Sequence, residues 1–186
     1  MLEDVRRSSA RRRGFLAAAA VVVAAIAGTS LVAVLRQPAL PQDLHEELTA
    51  RVTAVLEQSS LEEHQHHGHH FEEDAGQIVC AVEPFGVAPE GARTAAEVEW
   101  VYARHMCAIT GPGTDWARSV RVAGPLAVRL GHHTEVRVPE AGPGYPERVR
   151  QLIPPRLHEE AFAEFDDEDV LDAARERFEQ ARAAQR

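Results

Sequence analysis

Five histidines fall within seven positions, His64, His66, His67, His69 and His70, inside the segment Glu62-Glu63-His64-Gln65-His66-His67-Gly68-His69-His70-Phe71-Glu72-Glu73-Asp74. Neutral imidazole is a good ligand for zinc, nickel or copper, and nearby carboxylates can complete a coordination shell. Structural metal sites space their ligands across a fold. A contiguous run suits capture of such ions by an adaptable segment, with modest affinity and mixed stoichiometry. Two other readings compete with metal capture. One is a solvated low-complexity linker whose imidazoles meet metal incidentally. The other is a pH-responsive loop: imidazole titrates at about pH 6.5, so acidification would add positive charge beside Glu72, Glu73 and Asp74.

Cys80 and Cys107 are the whole cysteine complement. In an oxidising compartment an isolated pair is most simply a disulfide, and closing a loop over residues 80–107 is worth roughly 3–4 kcal/mol. The competing reading makes Cys107 a nucleophile beside His105. On a strand their side chains share a face, but no third orienting group is evident and an exported thiol tends to oxidise. His132 and His133 read as a turn, and His45 and His158 as surface residues of helices. Asp166-Asp167-Glu168-Asp169 reads as a capped helix start that could at most hold a hard cation loosely. The chain contains no G-x-S-x-G, H-E-x-x-H, phosphate-loop or dinucleotide fingerprint, so no catalytic residue is assigned. A hydrolase is a third class behind a binding module and a metal binder.

The compartment is decided by residues 14–35, an uncharged and almost wholly apolar run of 22 residues preceded by Arg6, Arg7, Arg11, Arg12 and Arg13. As a helix it would be about 33 Å long, enough for a hydrocarbon core of roughly 30 Å. The arginines lie on its N-terminal side and an acidic stretch follows it, so the positive-inside rule leaves the N-terminus in the cytoplasm and the rest outside. Ala25-Ile26-Ala27 offers a small-x-small site for a signal peptidase. Cleavage there would leave residues 31–35 as an exposed apolar tail, which favours an uncleaved signal anchor. Arg12-Arg13-Gly14-Phe15-Leu16 is similar to the core of twin-arginine export signals, although Arg11 and Ala17 depart from the usual pattern. The expected location is the cell membrane, single-pass, with the C-terminal domain extracytoplasmic, or secretion if the signal is removed.

All twenty basic residues are arginine, and lysine and asparagine are absent. Both missing residues have A-rich codons, so the composition reads as a GC-rich bacterial genome. Residues 1–27 hold five arginines and two acids of the chain's 20 and 29, which leaves 15 arginines against 27 acids in the rest. That balance opposes binding to nucleic acid or to an anionic lipid surface, both of which need clustered cations. The membrane contact is therefore through residues 14–35, and the partner to expect outside is an envelope protein or a small ligand.

The elements that would position these groups follow from periodicity. Leu44, Leu48, Val52, Val55 and Leu56 mark an amphipathic helix with Asp43 as its cap. The His-rich stretch loses all periodicity. Residues 78–82 alternate as a strand stopped by Pro84 and Gly86, and residues 87–94 read as a loop. Residues 98–109 read as a long strand, although Val98, Val101, Tyr102 and His105 also fit a helical stripe. A strand ending at Cys107 would lie beside the one carrying Cys80. Residues 126–138 form a hairpin about Gly131-His132-His133, with Val128 opposite Val136 and Arg129 opposite Glu135. Residues 145–153 and 167–184 read as helices, the last with a thin stripe of Val170, Leu171, Ala174 and Phe178 that promises loose packing or a partner.

The expected fold is α+β: an N-terminal membrane helix, then a small domain of one helix on a three- to four-strand antiparallel sheet, with C-terminal helices. The divisions are residues 1–13 cytoplasmic, 14–35 anchor or signal, 36–58 linker and helix, 59–76 His-rich loop, 77–155 disulfide-linked domain and 156–186 charged helices. Ile78-Val79-Cys80-Ala81, Glu83-Pro84-Phe85-Gly86 and Val101-Tyr102-Ala103 followed by Cys107 resemble uncharacterised small exported or membrane-anchored actinobacterial proteins with two cysteines. The resemblance covers about residues 77–155 and implies an envelope location and a disulfide. It carries no catalytic residues. The functional expectation is an extracytoplasmic interaction or ligand-binding protein, with a zinc, nickel or copper binder as the alternative.

Overall fold

The computed structural model describes residues 40–60, 62–63, 76–111, 113–119, 121–131 and 133–185. The apolar run 14–35, the five clustered histidines and His132 lie outside the described residues. No helix among the described residues is long and apolar enough to cross a membrane. Residues from Pro38 to Arg186 gather into one compact unit.

Its centre is a four-stranded antiparallel sheet in sequence order: β1 (Ile78–Ala88), β2 (Trp100–Ile109), β3 (Arg121–Arg129) and β4 (Glu135–Arg137). Helix α1 (Gln42–Gln58) buries Leu44, Leu48, Val52 and Leu56. These four, one turn apart, pack on Cys80, Val82, Val101, Ala103, Cys107, Leu126, Val128 and Val136 of the sheet. The opposite face carries α2 (Tyr145–Leu152), α3 (His158–Ala161) and α4 (Glu168–Ala184). Val149, Ile153, Leu157 and Ala161 cover Tyr102 and Ala127, while Ala174 and Phe178 of α4 cover Val79, Ala81 and Ala108. With both faces covered, β1 and β2 are buried along nearly their whole length, so their residues read as apolar runs with little polar alternation.

The α+β class and the antiparallel sheet hold, and residues 100–109 are a strand, not a helix. Several boundaries differ from expectation. β1 does not stop at Pro84 but runs to Ala88, shifting register between Pro84 and Gly86. An edge strand tolerates the missing proline donor, and Gly86 has no Cβ where the Leu157 methyls lie. β3 starts at Arg121, ahead of the expected 126, because Gly124 and Pro125 interrupt its apolar pattern without ending the ladder. The hairpin register is as expected, Val128 against Val136 and Arg129 against Glu135. Asp43 sits inside the first turn of α1 and Pro41 takes the cap position without a side-chain bond. Asp167 caps α4 by accepting from the Asp169 N–H. The thin stripe of α4 does find the sheet, and Phe178 meets Trp116 edge-on at 5.4 Å between ring centroids.

Cys80 and Cys107 face each other in register and are bonded. Around them the free edge of β1 is capped from two helices. Glu57 of α1 accepts from the Cys80 N–H at 2.9 Å, and Arg177 of α4 donates to the Cys80 carbonyl at 2.7 Å and to Glu57 at 2.6 Å. The pair of side chains replaces the neighbouring strand that an edge otherwise lacks.

Candidate functional site

Glu83 and Arg104 stand opposite each other on β1 and β2. Both are buried, at 5% and 4% exposure, in the face covered by the C-terminal helices. A buried charge is tolerated only with partners of good geometry, and Arg104 has several. Its Nε donates to Glu83 at 3.0 Å, Nη1 to the Glu160 carbonyl at 3.1 Å and Nη2 to Asp166 at 2.9 Å. The Glu160 carboxylate lies 3.7 Å from Nη1, and the Phe85 ring centroid is 5.6 Å from the guanidinium carbon. Glu83 also accepts from the Asp166 N–H at 3.2 Å. Residues 162–167, which join α3 to α4, are thereby tied to the middle of the sheet.

Beside this tie lies a cleft of about 520 Å³. Its base is Arg104, His105 and Met106 of β2 with Ala123, Gly124 and Pro125 of β3; Tyr145 closes one side, and Ala161 to Phe165, Glu168 and Leu171 form the other wall. The cleft exists because Met106 and Arg104 pair with the small residues Ala123 and Pro125, and because the two apolar clusters of this face do not meet there. Gly124 has φ +147°, and a Cβ on it would stand 2.7 Å from the Tyr145 hydroxyl. Its carbonyl is 2.8 Å from His105 Nδ1. Burial raises the Tyr145 pKa above 10.0, so the phenol is a neutral hydrogen-bonding group at ordinary pH. Phe162 is the one large apolar side chain left exposed among the described residues, at 45%, with Arg150 stacked 5.2 Å from its centroid.

The wall is mostly apolar and aromatic, with a few polar groups at fixed places, the usual make-up of a small-molecule cleft. Arg104 is held by carboxylates. Cys107, read as a possible nucleophile beside His105, is consumed by its bond to Cys80.

Comparison with protein-family models, curated proteins and solved structures gives no significant match.

Of the residues singled out from sequence, Cys80 and Cys107 are brought together. His133 is exposed, while His45 and His158 are half-buried, the latter with Nε2 at 2.8 Å from the Ile153 carbonyl. At the entrance to the His-rich segment, Glu62 and Glu63 are helical where a loop was expected. Ser60 and Glu63 exchange backbone-to-side-chain bonds of 2.6 and 3.2 Å, the reciprocal capping box that starts a helix. The cleft itself was not anticipated. Its signal was available: counting outward from the two cysteines as a facing pair puts Glu83 opposite Arg104, an ion pair within otherwise apolar strands.

Proposed function

We propose that this chain is an extracytoplasmic binding protein of a bacterial envelope, anchored through residues 14–35, whose domain takes a small ligand with an apolar group in the cleft between β2, β3 and residues 161–168. The observation that carries the reading is the cleft: about 520 Å³, apolar and aromatic, with Tyr145 and Arg104 at fixed positions. Export is supported by the arginine-flanked apolar run and by the buried disulfide, a bond at home in oxidising compartments. The chain has two methionines, Met1 and Met106, and Met106 lines the cleft. Methyl-labelled methionine in the full chain, held in zwitterionic nanodiscs, therefore provides one reporter in the site and one at the far terminus. Soluble apolar fragments are expected to shift the Met106 methyl resonance saturably and leave Met1 in place. A fragment series that moves neither at millimolar concentration would overturn the reading.

A second reading rests on His64, His66, His67, His69 and His70: capture of zinc, nickel or copper outside the cell. Five imidazoles within seven positions favour it. Calorimetric titration of the full chain with zinc or nickel, against a variant with the five replaced by glutamine, tests it; heats that are equal in both proteins would remove it.

A further inference from the structure

The class of ligand follows from the charges around the cleft, and this inference rests on the cleft being the binding site. The wall that closes it is drawn from residues 158–169, His-Glu-Glu-Ala-Phe-Ala-Glu-Phe-Asp-Asp-Glu-Asp, a stretch with seven carboxylates and no arginine. Glu164 and Glu168 line the cleft directly. One arginine, Arg104, lines it. Arg104 is already shared among Glu83, Glu160 and Asp166, and Arg150 lies on the ring of Phe162. The positive end of the α4 dipole is met by Asp167 at the cap and by Glu168 and Asp169 in the first turn. The arginine in the lining is thus met by carboxylates, while two further carboxylates, Glu164 and Glu168, line the opening. Phe165 and Tyr145 also belong to the wall, and aromatic faces attract organic cations, quaternary ammonium groups above all. Low-dielectric walls strengthen both effects relative to open water.

We infer that the ligand is an organic cation bearing an apolar group, with the hydrocarbon part against Met106, Pro125 and Leu171 and the cationic head between the aromatic rings and Glu164 and Glu168. An anion of the same shape meets the same apolar walls but the wrong field.

Three soluble benzyl compounds that differ in head-group charge test this on the full chain in zwitterionic nanodiscs, read at the Met106 methyl resonance. These are benzyltrimethylammonium, benzyl alcohol and phenylacetate. The cation is expected to bind about tenfold more tightly than either of the others, equivalent to about 1.4 kcal/mol. That margin should narrow as salt rises from 20 to 500 mM, because the discriminating charges are at the opening. In the double variant Glu164→Gln, Glu168→Gln, whose substituted side chains are exposed, the ratio between cation and alcohol should fall toward one. Equal binding of all three, or tighter binding of phenylacetate, overturns the cation assignment while leaving the cleft as a binding site. A Met106 signal that responds to none of the three overturns both.

Discussion

The two tyrosines, Tyr102 and Tyr145, are the residues whose chemistry the fold changes most legibly. Burial raises the pKa of each above the ordinary 10.0. For Tyr102 the desolvation outweighs the opposing pull of Arg156 and Arg137, and Glu99 adds to the rise. The sign of the stability effect follows. An acid that ionises later when folded stabilises the folded chain in full below the unfolded value, and that contribution is lost as pH climbs from 10 through the folded values. The chain has no lysine and both cysteines are bridged, while arginine stays charged throughout. These two phenols are therefore the side chains expected to shape the alkaline limb of the stability curve. Tyrosinate absorbance of the native protein should rise with a midpoint above 10 and return to an ordinary midpoint in denaturant. A native titration centred at or below 10 would contradict the burial of both rings.

At the scale of elements, the connection between α3 and α4 is held by a buried guanidinium, and the consequence is testable. Arg104→Met removes the cation and leaves Glu83 buried, with the Asp166 N–H as its remaining bond. Loss of one partner of a buried pair costs about 3–5 kcal/mol, whereas replacing both by apolar groups of similar size is often neutral. Urea unfolding of Arg104→Met should show a loss in that range, and the double variant with Glu83→Leu should recover most of it. A single variant as stable as the parent would mean the pair is not buried as described. This same pair marks how far the sequence could be read. Repeats of four in α1 and the apolar strands specified the helix, the sheet and the disulfide register, because each buries one chemically uniform face. From that register the facing of Glu83 and Arg104 followed, yet the side of the sheet to be covered did not. α2, α3 and α4 bury few apolar residues each, Val149, Ala161, Ala174 and Phe178 among them, and their stripes are too thin to name a surface. The strand boundaries at Pro84 and Arg121 were missed for a related reason. A proline on an edge and a Gly-Pro step look like breaks in a local pattern, and only the ladder to β2 shows the chain continuing through them.

For the whole molecule, charge is distributed unevenly between one end and the rest. Five arginines precede the apolar run and two acids accompany them, while beyond residue 27 acids outnumber arginines 27 to 15. Positive charge resists translocation, so the proposed orientation, with the domain outside, rests on the five arginines ahead of the apolar run. The folded part supports the proposed side of the membrane through its disulfide. Its disulfide joins the two longest strands at full burial, and a bridge closing a loop of this length supplies roughly 3–4 kcal/mol, a large share of a stability that for small domains is only about 5–15 kcal/mol. In a reducing interior the bridge would be open and the domain correspondingly weaker. Two measurements on cells bear on this together. Alkaline phosphatase fused after Arg186, active only once exported, should be active, and replacing Arg6, Arg7, Arg11, Arg12 and Arg13 by glutamine should reduce that activity. Alkylation of the denatured, unreduced chain should modify neither Cys80 nor Cys107, and both should react after reduction. A silent phosphatase together with two freely reacting thiols would place the domain in the cytoplasm and remove the basis for an envelope ligand, while leaving the fold and its acidic, aromatic cleft as they stand.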